Sequence, residues 1–231
     1  MVRTVCYSLA ALLVVSALAG GAVPEPFRRA IVVVGLHNPE QRRSITIGTA
    51  FYVGRRLFYT NAHVVLDRQR IQREDGPGYN QWMLVGANEF GSPVATLGTA
   101  DVQCVDTRYK PTPWGEPEPY DVALLRFTGP EERLSAPLVI SAVPIRPGER
   151  ARVIGYPGGA VLIEAWGTVT DVNAERIIVT RDSGAAALPG SSGSPLLNAR
   201  GEVVGIHQGS NVVRLLMQAV PIHTALAGCP I

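Results

Sequence analysis

The sequence predicts an all-β fold, closed into barrels or packed as a sandwich, and three observations carry that expectation. Short β-branched and aromatic runs recur along the chain with turn residues between them. Two proline-rich segments, 109–119 and 128–147, hold four prolines each and cannot be central strands, so they punctuate the runs and split them into two sets. The chain of 231 residues is 46% apolar and 17% charged, without internal repeat or low-complexity tail, so it can bury a core as one all-β unit.

The first 19 residues read as an export signal. Arg3 supplies a positive start, residues 5–18 are mostly apolar, and Ala17-Leu18-Ala19 offers a small-x-small cleavage site before Gly20. A retained anchor is the rival, but the segment is short for spanning and lacks a charged stop. Removal of the signal takes Cys6 with it and leaves Cys104 and Cys229. In an oxidising compartment these two either pair or stay as two buried thiols, and both readings stand. The expected location is secreted or periplasmic, with no stable membrane insertion after cleavage. A net charge of +2 without a basic stripe argues against a nucleic-acid partner. No close set of His, Cys, Asp and Glu suggests a metal, and no cofactor is expected.

The mature chain divides into a first unit at 20–130, a linker at 131–147 and a second unit at 148–231. In the first unit, strands are expected at 30–36, 44–53, 57–60, 82–86, 94–106 and 122–127. The charged segment 67–80, with Gly76-Pro77-Gly78, reads as a solvent-exposed loop. In the second unit, strands are expected at 150–155, 161–171 and 176–180. A hairpin follows around 198–201, with its second strand at 202–207, and a last strand is expected at 212–220. Pro221 can open a short closing helix.

The chemistry concentrates in Leu188-Pro189-Gly190-Ser191-Ser192-Gly193-Ser194-Pro195. A turn bounded by glycines can present one hydroxyl outward and aim backbone N–H groups at a single point. Acyl transfer needs both a nucleophile and donors where the oxyanion forms. The plain alternative is an ordinary Gly/Ser turn between strands. Upstream stand His63, in Thr60-Asn61-Ala62-His63-Val64-Val65, and Asp121, in Tyr120-Asp121-Val122-Ala123-Leu124-Leu125. A serine hydroxyl needs a base to take its proton, and the base needs a carboxylate to hold its tautomer. Asp101, Asp106, Asp171 and Asp182 compete with Asp121, but only Asp121 opens an apolar strand. His37 and His223 read as surface or structural residues.

The motifs T-N-A-H-V-V, Y-D-V-A-L-L and G-S-S-G-S-P, in that order, resemble those of the trypsin/chymotrypsin-like serine proteases. The bacterial branch with the heat-shock periplasmic proteases and glutamyl endopeptidases is the nearest in pattern, over roughly residues 30–225. The resemblance implies two six-stranded antiparallel β-barrels with a short C-terminal helix and a catalytic cleft between the barrels. It implies His63, Asp121 and Ser192 as catalytic residues, and the backbone N–H groups of Gly190 and Ser192 as the oxyanion hole. Ser191 and Ser194 are the competing serines. In trypsins a freed N-terminal Ile pairs with an Asp just before the nucleophile; here Ser191 stands there, so no such switch is expected at Ile31. The short stretch after Ser192 leaves no room for an appended PDZ domain.

The expected partner is a polypeptide substrate, and the expected state a monomer. By resemblance, Gly209 and its neighbours His207, Gln208 and Ser210 form the edge that binds substrate, with Ala187 in the pocket wall. His207 falls where glutamyl endopeptidases carry the histidine that meets a substrate carboxylate, which suggests preference for Glu before the cut. Ala186 and Ala187 offer no charge for Lys or Arg, and Ala187 lacks the hydroxyl commonly found there in glutamyl enzymes. Specificity for small or apolar residues is the alternative. A catalytically idle binding module on the same scaffold is a different class of reading. An esterase would need a strand-turn-helix at the nucleophile, and residues after Ser192 read as strand.

Overall fold

The computed structural model describes residues 23–87, 92–111, 118–184, 189–211 and 213–231. Six strands, β1 (Ile31–Asn38), β2 (Arg43–Gly54), β3 (Leu57–Thr60), β4 (Gln81–Ala87), β5 (Pro93–Val105) and β6 (Ala123–Phe127), close into an antiparallel barrel in the order β1-β2-β3-β6-β5-β4. A second barrel is built from β7 (Arg150–Gly155), β8 (Ile163–Val172), β9 (Ile177–Gly184), β10 (Pro195–Asn198), β11 (Val203–Asn211) and β12 (Leu216–Pro221). Its order, β10-β11-β12-β9-β8-β7, is the same path read from the other end. Two units with no sequence repeat thus share one topology. Closure leaves no long sheet edge exposed, which is how an antiparallel fold of this size avoids edge-to-edge association.

Burial follows the pleat. β4 alternates buried and half-buried residues, one face on the core and one toward solvent. β1 is buried almost throughout, because its second face is covered as well: the Tyr156 hydroxyl, from the second unit, lies 3.5 Å from the Ile31 carbonyl and donates to it. The first barrel's core holds Phe51, Phe58, Tyr59, Leu84, Leu124 and Phe127; the second is filled by smaller residues such as Val153, Val169, Val179 and Met217.

Among the described residues four short α-helices accompany the strands: α1 (Glu25–Ala30), α2 (Ala62–Leu66), α3 (Arg68–Glu74) and α4 (Ile222–Gly228). α3 departs from the solvent-exposed loop expected at 67–80. Arg70 pairs with Asp67 at 2.6 Å and Glu74 at 2.9 Å, the i,i+3 and i,i+4 spacings of a helix, and Ile71 and Tyr79 are buried beneath it. The charges there were helix-spaced rather than loop-like. β11 also runs four residues beyond the expected end at His207, and 213–215 form the turn before β12 rather than its first residues.

The first and the last described elements each reach the other barrel. Phe27 of α1 lies under the Arg152 guanidinium of β7, 4.8 Å away. At the other end, Cys229 after α4 is joined to Cys104 of β5 by a disulfide, with Cα atoms 5.8 Å apart, and the Tyr59 hydroxyl donates to the Cys229 carbonyl. The segment between the barrels is ordered by its backbone: Leu138 N–H donates to the Tyr52 carbonyl at 2.9 Å, and Ser141 N–H to the Val203 carbonyl at 2.9 Å.

Candidate active site

β3 and β6 are antiparallel neighbours, with Thr60 opposite Ala123. The chain leaves β3 at the end where it enters β6, so His63 and Asp121 meet just beyond that shared end. Asp121 is buried, and its carboxylate meets His63 twice: Oδ2 lies 2.6 Å from the ring Nδ1, and Oδ1 accepts the His63 backbone N–H at 2.9 Å. A carboxylate facing Nδ1 fixes the proton there and leaves Nε2 as an acceptor. The ring remains 39% exposed, open to the cleft. Asn61, a residue the sequence reading did not single out, donates from Nδ2 to the Asp121 carbonyl at 2.8 Å.

The serine arrives on the turn before β10. Gly190 and Gly193 sit at φ 98° and φ 86°, a region side-chain-bearing residues resist. A Cβ on Gly193 would lie 2.1 Å from the Thr49 carbonyl oxygen, and one on Gly190 would lie 2.6 Å from the Gly158 nitrogen. The first barrel grips this turn through Thr49 of β2, also unforeseen. Its N–H donates to the Ser192 carbonyl at 2.8 Å, and its hydroxyl donates to the Gly190 carbonyl at 2.9 Å. From its own barrel, Gly193 N–H donates to the His207 carbonyl at 2.9 Å. Among the described residues, the N–H groups of Gly190 and Ser192 donate to no protein group, so both are free for an incoming oxygen.

Ser192 and His63 are not hydrogen-bonded to each other here. The Ser192 hydroxyl donates instead to the Gln208 carbonyl at 3.0 Å. That carbonyl belongs to the stretch of β11 that has run past its partner β10, so it is available to a neighbouring donor. A change of χ1 between staggered wells redirects the hydroxyl.

The family model of the trypsin-like peptidase domain matches residues 48–206 of this chain, a span that includes His63, Asp121 and Ser192. The chain belongs to that family. This trypsin-like peptidase is accordingly a serine endopeptidase acting on polypeptides. Among solved structures it is similar to the active form of the Rv3671c protease from M. tuberculosis, at 19% identity and TM-score 0.57, covering 94% of this chain and 86% of that one. It is also similar to Deg5, at 19% identity and TM-score 0.62, covering 89% of this chain and 90% of that one. At such identity these likenesses speak for the fold.

In the peptidase, β11 pairs with β10 only up to Ile206, which faces Pro195, so Gln208 to Asn211 keep one open edge. His207 is 1% exposed; its Nε2 lies 3.4 Å from the Ser210 hydroxyl, and among the described residues its Nδ1 makes no hydrogen bond of good geometry. Burial pushes its pKa down to about 4, against an opposing contact with the Gln218 backbone and with His63 nearby adding slightly to the fall, so the imidazole is neutral near pH 7. Gln208 is buried, whereas Gly209 and Ser210 are half-buried on the open edge. Ala187 and Ala186 lie outside the described residues. Among the described residues no group of His, Cys, Asp and Glu could hold a metal ion.

Proposed function

We propose that the peptidase cleaves through His63 as general base, Asp121 as its orienting carboxylate and Ser192 as nucleophile. The observation that carries this reading is the double contact of the buried Asp121 carboxylate with His63. On substrate binding the Ser192 hydroxyl turns to His63 Nε2, gives up its proton and attacks the scissile carbonyl. The carbonyl oxygen takes the negative charge, stabilised by the N–H groups of Gly190 and Ser192. His63 then hands the proton to the leaving amine, the C–N bond breaks, and a water molecule activated by the same imidazole releases the acyl group from Ser192. Replacement of Ser192 by Ala in a folded protein should remove peptide cleavage; full activity in that variant would refute the assignment.

The same site suggests selectivity for Glu before the cut. Support comes from His207, buried just before the open edge, and from Ser210 on that edge, whose hydroxyl lies 3.4 Å from the ring. Because the imidazole is neutral, it would meet a substrate carboxylate as a hydrogen-bond donor rather than as a fixed charge. Sites that hydrogen-bond a substrate group discriminate far more strongly than a hydrophobic pocket sensing one methylene. Glu should be cleaved well ahead of Leu in matched peptides, with the margin gone in His207→Ala; equal cleavage by the wild type contradicts the idea and favours the small or apolar alternative.

The chain is proposed to act after export. The apolar leader at 1–19 supports this, as does the Cys104–Cys229 bond, since disulfides persist in oxidising compartments. Activity without clipping before Ile31 is also proposed. Ile31 is fully buried within β1 and opposite Phe51, and Ser191 offers no carboxylate to a freed ammonium. Protein beginning at Gly20 should be active at once, whereas activity appearing only after cleavage before Ile31 would contradict this.

A further inference from the structure

We infer that Asn61 and Gln208 are positioning residues that jointly hold the 118–121 turn, and through it the Asp121 carboxylate. This rests on the triad reading above. Asn61 donates from Nδ2 to the Asp121 carbonyl, and Gln208, reaching across from the second barrel, donates from Nε2 to the Glu118 carbonyl. Both partners are backbone carbonyls, which only accept, so the nitrogen of each amide must face the turn.

Three features separate these contacts from ordinary packing. First, the amide oxygens, Asn61 Oδ1 and Gln208 Oε1, are both buried with no partner among the described residues. An orphaned buried acceptor is costly, and an apolar side chain of similar shape would avoid that cost. Two such groups flank a single four-residue turn. Second, Asn61 occupies the N-cap position of α2 yet makes no side-chain cap bond. The N–H a capping side chain would take, that of His63, is bonded to Asp121 Oδ1 instead. Asp121 caps the helix bearing the base, and Asn61 in exchange holds Asp121. Third, the turn is strained, with Tyr120 at φ 62° in the left-handed region. A backbone in that conformation persists only while its surroundings hold it. Among the described residues the Asp121 carboxylate receives hydrogen bonds from His63 alone, so its position is set by the backbone that the two amides grip.

Gln208 therefore connects both halves of the site. Its backbone carbonyl accepts the Ser192 hydroxyl, and its side chain fixes the segment leading to Asp121. Small displacements of such groups are felt mainly in turnover.

The test measures kcat and KM on an activated ester for Gln208→Met, which keeps length and burial but lacks the donor, and for Asn61→Ala. Each is also combined with Asp121→Ala. Circular dichroism and thermal melting establish that each variant is folded, and should Asn61→Ala fail to fold, Gln208→Met carries the test alone. The expected result is a fall in kcat of about 10-fold with KM unchanged within about twofold. In the Asp121→Ala background the same substitutions should cost nothing further, because their lever is gone. An unchanged kcat overturns the inference, as does an equal loss with and without Asp121. Ser192→Ala run alongside keeps the two claims apart: its full activity would bring down the triad reading, whereas its inactivity beside unaffected amide variants brings down the amide inference alone.

Discussion

At the residue scale, His63, Asp121 and Ser192 should behave as one unit. Each of His63→Ala, Asp121→Asn and Ser192→Ala should lower kcat by about 10⁴-fold or more, and a double variant should lose little beyond its worse single. Steady-state kinetics on a peptide substrate checks this, and near-wild-type turnover in folded Asp121→Asn would assign the orienting role elsewhere. His207 gives a second prediction, in stability. Its folded-state pKa of about 4 lies below the ordinary 6.5, so the folded protein takes up the proton less readily than the unfolded chain. The stability that His207 contributes is complete above pH 6.5 and is lost as pH falls through 6.5 toward 4. A shift of this size corresponds to about 3 kcal/mol. Denaturant melts of wild type and His207→Gln over that window should show a steeper loss for the wild type; parallel curves would contradict the burial argument. The three residues proposed as the triad could be named from the sequence because each sits in a local motif whose chemistry is readable without the fold, and of them the structure joins His63 and Asp121 directly. Asn61, Thr49 and the side chain of Gln208 could not be, because their roles depend on carbonyls 60, 141 and 90 residues away.

At the element scale, the glycine-bounded turn before β10 is the most exacting piece. Gly190→Ala would force a Cβ against the Gly158 nitrogen and the Tyr156 carbonyl oxygen at a φ of 98°. The expected outcome is a loss of kcat of about 100-fold, as for removal of an oxyanion donor. Stability should fall by about 1–3 kcal/mol, read by denaturant titration. Strands were readable where β-branched runs met turn residues, as in β1, β3 and β6. The errors fell where tertiary pairing overrides local pattern. β11 continues past His207 through Gln208-Gly209-Ser210-Asn211, residues with little strand preference of their own, because β12 supplies its partners. The helix α3 was missed because its stabilising Asp67–Arg70–Glu74 pairs are surface charges, and charge density alone reads as loop.

At the scale of the whole molecule, the two barrels are held together by exchange of their ends. α1 lies against Arg152 of the second barrel, and the chain after α4 is bonded to β5 of the first. The disulfide closes a loop of 125 residues, and removal of a native disulfide of this kind costs about 2–5 kcal/mol. Cys229→Ser should therefore lower the midpoint of thermal unfolding measurably, and reduction of the wild type should do the same. A variant melting with the wild type would mean that the contacts of Tyr59 and α4 suffice alone. Sequence left the pairing of Cys104 and Cys229 open, since only the fold decides whether Cα atoms come within bridging distance. The two six-stranded barrels were legible through the motifs' resemblance to a family, but no internal repeat shows their shared path, because topology repeats here without the residues repeating.

In the proposed mechanism Ser192 is a nucleophile activated by His63. The most direct measurement treats the folded protein with a fluorophosphonate and locates the adduct by mass spectrometry. One adduct is expected, on Ser192, formed slowly or not at all in His63→Ala. An adduct on Ser191 or Ser194, or none on the folded wild type, would contradict it.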